Sequence, residues 1–372
     1  MEMEQCDLAV VGGSFAGLTC AKSAALNGLN VRLFERKISP GSYTQSTGIF
    51  VKEIAEQANL PDSMTRKISG VRLYAPNMRS IDLQSPDYYF VATDTQKVLG
   101  WMADQALRAG VAIESSVQVQ SVQQKDERIL LEEQECSAAY LVAADGANSS
   151  LAKQLNLGQN LQCLAGAEYE IDGFEELDDD KLHVFLSSDY APGYIGWLLK
   201  GVNTVQLGVA VKPGQHVKLR PFFEFLKSYF ACDATMISGR GGLIPCGGLV
   251  SPWARGNVCL LGDSAGMVSP LTAGGIHPSI EIGEQLGVAI AAHLRNGLPL
   301  PQEQISAMVK KYPFKKRLRS LYNRVGAPDP VVNYMIGNPL FRRVAQLVFF
   351  HHRGLFCGDA WRDILFSQAP AK

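Results

Sequence analysis

Residues 7–36 restrict this chain more than any other stretch. Leu8-Ala9-Val10-Val11 is an apolar run of strand length, and Gly12-Gly13-Ser14-Phe15-Ala16-Gly17 follows it without a spacer. A helical pattern then runs from Leu18 to Asn27 with Gly28 as its stop. Val31-Arg32-Leu33-Phe34 reads as a second strand, ending in Glu35 and Arg36. Strand, glycine turn, helix, strand and acid is the order that a dinucleotide-binding βαβ unit requires. Gly12 permits the tight turn and Gly17 lets the helix pack closely on the strand. Residues Gly12, Gly13, Ser14, Phe15, Ala16 and Gly17 are thus predicted to cradle a pyrophosphate on the helix N-terminus. Glu35, with Arg36 beside it, is placed to meet an adenosine ribose. Ser14 stands where the fingerprint has its second glycine, and its hydroxyl can itself donate to a phosphate. The competing reading is a glycine-rich turn that binds nothing, and the motif alone does not separate FAD from NAD.

Two later segments make that separation. Residues 140–150 are an apolar strand that stops at Asp145-Gly146. Residues 258–261 form another, ending in Gly262-Asp263; a loop with Pro270 follows, and Gly274-Gly275-Ile276 opens a new helix. An acid at a strand end can bind ribose or ribityl hydroxyls, and a glycine-opened helix turns its N–H groups toward whatever lies before it. An anionic reduced flavin suits that position.

With these three fingerprints in order, the chain resembles the FAD-dependent fold shared by geranylgeranyl reductases, aromatic hydroxylases (group A flavin monooxygenases) and flavin halogenases. The resemblance spans most of residues 6–295. It implies FAD as cofactor, with Asp263 at the ribityl or pyrophosphate region, Asp145 shaping the cleft, and Gly274, Gly275 and Ile276 against the isoalloxazine edge. It also implies an α/β fold: a glutathione-reductase-like FAD domain of Rossmann type, an inserted antiparallel-sheet substrate domain, and a helical C-terminal region. The expected boundaries are 1–60, 92–160 and 252–300 for the FAD domain, 61–91 and 161–251 for the substrate domain, and 301–372 for the helical region.

Residues 178–211 point to a branch within that superfamily. Their alternating apolar residues and glycines predict three antiparallel strands, in 178–186, 191–200 and 205–209. The run Pro192-Gly193-Tyr194-Ile195-Gly196-Trp197-Leu198-Leu199-Lys200 is similar to the geranylgeranyl reductase signature, in which Tyr and Trp line an isoprenoid cavity. It departs by one added residue between Tyr194 and Trp197 and by Leu198-Leu199 where Phe-Pro is usual. Ordinary sheet packing is the competing reading for both aromatics. The loop after the second strand has Thr47 where archaeal reductases of the group carry a cysteine, and no arginine of the hydroxylase kind. Thr95 stands where an arginine usually lies beside the adenine, with Lys97 the nearest cation. No Trp-x-Trp pair of the halogenase type occurs.

His277, on the first turn of the glycine-opened helix, and Thr47 are the catalytic candidates, with packing against the fold as the alternative for His277. Beyond residue 307 the chain is rich in lysine and arginine, and Arg342-Arg343 precede the apolar Val344–Phe350. That pattern fits either a peripheral membrane contact or a helix packed on its own domain.

Composition narrows the rest. Thirty-five basic and 36 acidic residues give a net charge of −1, with no general attraction to nucleic acid. The longest uncharged stretch, 264–280, is broken by prolines and glycines, so no transmembrane helix is expected. Eight scattered cysteines form no CxxC pair, so no metal site is expected and a cytoplasmic protein with reduced thiols is. The expected activity is FAD-dependent reduction of C=C bonds in an isoprenoid or similar apolar substrate. NAD(P)H or a reduced electron carrier is the expected reductant, since no second glycine motif exists. A flavin monooxygenase and a non-catalytic electron-transfer flavoprotein are the alternatives, and the oligomeric state is left open.

Overall fold

The run Leu8–Val11 offers water no polar face, and it lies where such a run is stable, buried on both faces in the middle of a parallel sheet. The computed structural model describes residues 3–326 and 328–350. Strand Glu4–Val11 pairs in parallel with Val31–Glu35 on one side and Cys136–Ala143 on the other. The register sets Leu8 opposite both Val31 and Tyr140. Across the sheet the order is Ala254–Arg255, Val258–Leu260, Cys136–Ala143, Glu4–Val11, Val31–Glu35, Ala112–Ser115. The three chain segments carrying the three fingerprints therefore run side by side and parallel, so their C-terminal ends meet at one edge.

Helix Phe15–Leu26 packs on the long helix Ile276–Asn296 through small residues. A Cβ added at Gly283 would stand 2.9 Å from the Ala16 carbonyl oxygen, and one at Gly287 2.6 Å from that of Cys20. The two backbones approach only because both positions lack a side chain.

The described residues form two compact units: 3–48, 94–164 and 243–320 in the first, and 49–93, 165–242, 321–326 and 328–350 in the second. The second holds a seven-stranded sheet in the order Thr235–Pro245, Cys163–Asp172, Val205–Val211, Gly196–Lys200, Lys181–Phe185, Gly70–Tyr74, Ser80–Gln84. From Cys163–Asp172 to Lys181–Phe185 neighbouring strands pair antiparallel, as do Gly70–Tyr74 and Ser80–Gln84, whereas Lys181–Phe185 pairs in parallel with Gly70–Tyr74. One face is covered by helix Leu219–Tyr229, whose Phe222, Phe223 and Leu226 bury Phe185, Leu198, Leu207 and Val209. A three-stranded sheet of Ile49–Val51, Phe90–Thr93 and Thr65–Ile68 belongs to the same unit.

The basic C-terminal stretch ends in helix Pro339–Phe350. Arg342 and Gln346 donate to the carbonyls of Asp82 and Gln84 at 3.0 and 3.1 Å, and Phe350 packs on Phe90 and Tyr88. The apolar side of Val344–Phe350 thus has its own unit to pack on, with Ala345, Leu347 and Phe350 buried. Residues 351–372 of the expected C-terminal region lie outside the described residues. Among the described residues, no helix is long and apolar enough to cross a membrane.

Candidate functional site

The first unit builds its site where the strand Glu4–Val11 gives way to helix Phe15–Leu26. Gly12 takes φ +109°, and a Cβ there would strike the carbonyl of Ala144 at the end of the neighbouring strand. Only glycine can hold both that backbone shape and that approach. Gly17 is equally constrained, because its Cβ would collide with the Gly12 carbonyl. Ser14 is the N-cap residue and is exposed, and its side chain caps nothing. Phe15 and Ala16 are buried.

Glu35 is 7% exposed, and both its oxygens have backbone donors. The Gly13 N–H donates to Oε2 at 2.6 Å and the Lys37 N–H to Oε1 at 2.9 Å. The acid thus holds the glycine turn to the end of the second strand, and each oxygen keeps a further lone pair for a ribose hydroxyl. Arg36 is exposed, whereas Lys37 is partly buried and donates to the Tyr43 carbonyl at 2.9 Å. Burial pushes the Lys37 ammonium down, against the pull of Glu35.

The second and third fingerprints are tied together by a residue that no motif announces. Asn160 Nδ2 donates to the Ala147 carbonyl at 3.0 Å and to the Asp263 carbonyl at 2.8 Å. Ser264 adds a second tie, its hydroxyl lying 2.6 Å from the Ala143 carbonyl. Asp145 Oδ2 accepts from the Leu151 N–H at 3.4 Å, while Oδ1 is buried with no hydrogen-bond partner among the described residues. Burial raises the Asp145 carboxyl above the usual carboxylate range, against the pull of Ser149 and nearby backbone N–H groups. Burial pushes Asp263 up to about 6. Its Oδ1 lies beside Gly275, where an added Cβ would stand 3.3 Å from it.

The residues present fit FAD: the desolvated carboxyls of Asp145 and Asp263, one with an oxygen that has no partner among the described residues, could accept from hydroxyls of the ribityl or ribose kind. The exposed N-cap Ser14 and the opening of helix Phe15–Leu26 offer donors to a pyrophosphate. Gly275 is the N-cap of helix Ile276–Asn296, with Gly274 exposed and Ile276 partly buried.

The remaining sequence candidates fall as follows. His277 is on the first turn of that helix, with Nε2 3.6 Å from Glu281 Oε2 one turn on. Thr47 lies in an irregular loop, where its carbonyl accepts from Thr95 Oγ1 at 3.4 Å. Lys97 folds back on the helix N-cap Asp94 at 2.8 Å. Tyr194 is in the turn that precedes strand Gly196–Lys200, with its N–H bonded to the Ala191 carbonyl at 3.0 Å. The strand therefore begins later than the alternation in 191–200 predicts, because Pro192-Gly193 make a turn. Trp197 is on that strand, 9% exposed, and its indole N–H donates to Glu168 Oε2 at 2.9 Å. Among the described residues, no group of three or more His, Cys, Asp or Glu side chains is arranged to hold a metal ion.

Residues 5–167 match the family model of the FAD binding domain. Digeranylgeranylglycerophospholipid reductase 2 of Methanosphaera stadtmanae is 27% identical over 344 residues, covering 83% of this chain and 86% of that one. Among solved structures, a geranylgeranyl bacteriochlorophyll reductase-like protein of Thermoplasma acidophilum superposes with a TM-score of 0.80 at 18% identity, over 94% of this chain and 97% of its own. A flavin-dependent brominase shares the fold at a TM-score of 0.71 and 14% identity, covering 92% of each chain.

Fold and site together define an FAD-binding flavoprotein. Residues 5–167 carry the FAD binding domain, and the chain is an FAD-dependent oxidoreductase.

Proposed function

We propose that this enzyme reduces carbon–carbon double bonds in the isoprenoid chains of a lipid. One observation carries the reading: the similarity to a digeranylgeranylglycerophospholipid reductase runs through more than four-fifths of both chains. When bound and reduced, FAD would supply the hydride for one alkene carbon, with NAD(P)H or a reduced carrier as the source of its electrons, and the other alkene carbon would take a proton.

The chain's own residues orient and protonate. Gly12 to Gly17 and Glu35 hold the dinucleotide, while Asp145 and Asp263 take its hydroxyls. Tyr194 and Trp197 wall the apolar chain and exclude water. His277 is the side chain proposed to pass the proton, with Glu281 at 3.6 Å to hold or return it. Thr47 is proposed to offer its hydroxyl as a hydrogen-bond partner to substrate or flavin. Val331, Tyr334, Leu340 and Arg343, all exposed, are the side chains proposed to rest on a membrane that holds the lipid.

The test is product analysis. FAD-loaded protein is incubated with a chemical reductant and a glycerophospholipid bearing geranylgeranyl chains, and the lipid is weighed by mass spectrometry. Gain of two hydrogens per double bond is expected. Unchanged lipid under full flavin reduction overturns the reading.

A further inference from the structure

The row of residues around Trp197 spans four strands of the second unit. Trp197 on Gly196–Lys200 lies opposite Gly208 on Val205–Val211, and Gly208 in turn lies opposite Glu168 on Cys163–Asp172. A tryptophan in a strand interior ordinarily stands off the sheet. Here the indole lies down across the neighbouring strand, because Gly208 has no side chain: a Cβ there would run into the indole Cζ2 and Cε2. Lying flat brings Nε1 to the third strand, where it donates to Glu168 Oε2 at 2.9 Å. Glu168 is only 4% exposed, and its other oxygen is paired with Arg240 on strand Thr235–Pro245. Arg240 is itself braced by Glu170 at 2.9 Å. The ring is therefore fixed by a seat that admits no Cβ and by a charge-assisted hydrogen bond whose acceptor is held by an arginine.

We propose that Glu168 is a positioning residue that locks the Trp197 indole across Gly208, and that the locked ring sets which prenyl chain lengths the enzyme accepts. The inference rests on the reading that Trp197 walls the substrate. A wall held at both ends cannot yield to a longer or bulkier chain, whereas a free indole would swing and level the preference.

The test uses the FAD-loaded enzyme and three variants. Gly208→Ala unseats the ring, Glu168→Met removes the acceptor while Arg240 keeps Glu170, and Glu168→Gln retains an acceptor oxygen. Each is assayed on lipids with geranyl, farnesyl and geranylgeranyl chains, and its tryptophan emission is compared with that of Trp197→Phe to isolate the ring. Gly208→Ala and Glu168→Met are expected to change the ratio of kcat/KM between the shortest and longest chains by about tenfold, through KM rather than kcat. Their Trp197 emission shifts, and Glu168→Gln restores the wild-type ratio. If the emission shifts and the chain-length ratio does not, the ring has moved without touching substrate and the proposal is overturned, while alkene reduction stands. Should Gly208→Ala fail to fold, Glu168→Met against Glu168→Gln decides the matter alone. Wild-type enzyme that reduces none of the three lipids removes the functional reading itself, and this proposal with it.

Discussion

Replacing Asp263 by asparagine should make the apoprotein more stable and the flavoprotein weaker. The Asp263 carboxyl is raised from its ordinary 3.8 to about 6, and burial is the cause. A shift of roughly two units at ~1.36 kcal/mol each amounts to about 3 kcal/mol of preference for the neutral acid in the fold. The sign follows from linkage. The folded chain holds its proton more tightly than the unfolded one, so this contribution is complete below about pH 4. It is lost as pH rises to about 6 and stays lost at neutrality. An asparagine carries no such dependence. Urea denaturation of both apoproteins from pH 4 to 8 should therefore show the difference in stability growing in the variant's favour up to about pH 6, to at most ~3 kcal/mol, then levelling. FAD affinity should fall by about tenfold or more, since a charged acceptor for hydroxyls is gone. A stability difference that stays flat across that range would show that the carboxyl is not desolvated. An unchanged FAD affinity would show that it is not a cofactor ligand.

Gly12→Ala should cost FAD binding outright. It adds about 1–2 kcal/mol of left-handed backbone strain to a collision with the Ala144 carbonyl, so fluorescence titration should find at least tenfold weaker binding; equal affinity refutes the turn's role. His183, 1% exposed and 3.0 Å from the Tyr74 hydroxyl, is lowered to about 4, chiefly by burial and then by Arg72. It is neutral in the fold, so its contribution is present above about pH 6.5 and declines by ~3 kcal/mol as pH falls to about 4. His183→Gln should flatten that acid limb in denaturation curves, and an unaltered limb refutes the assignment. Wild-type protein should sediment with anionic liposomes at low salt and release at high salt, and Tyr334→Ser with Arg343→Glu should abolish this; equal sedimentation leaves that face without a membrane role.

The glycine turn between the first strand and its helix was legible because its constraints are local. A backbone that turns at once from strand to helix needs Gly12, and a helix that close to a strand needs Gly17, so a stretch of ten residues carries the signal. The same holds for Gly275 at the opening of its helix. Partnerships across the sheet left no such trace. Asn160 ties two fingerprints from a loop with no pattern of its own, and nothing in its neighbours marks it. Glu168 meets Trp197 across Gly208 only through the register of strand Cys163–Asp172, which alternation does not fix between strands that are not adjacent in the chain. Glu35 was readable as an acid at a strand end, whereas its hold on the Gly13 N–H depends on the side-chain geometry of the closed turn. Tyr194 was read as part of a strand because alternation continues through it, although Pro192-Gly193 favour a turn. The pair His277–Glu281 was present at helical spacing, and only the helix's exact start makes it a contact.

Anaerobic stopped-flow tests the central claim most directly. The FAD-loaded enzyme is reduced without oxygen and mixed with a geranylgeranyl lipid, and flavin absorbance is followed. The account predicts that the lipid alone reoxidises the flavin, at a rate that rises with lipid concentration, and that the recovered lipid has gained hydrogen. A flavin that stays reduced with lipid present and turns over only when oxygen is admitted would contradict it and place the enzyme among the monooxygenases.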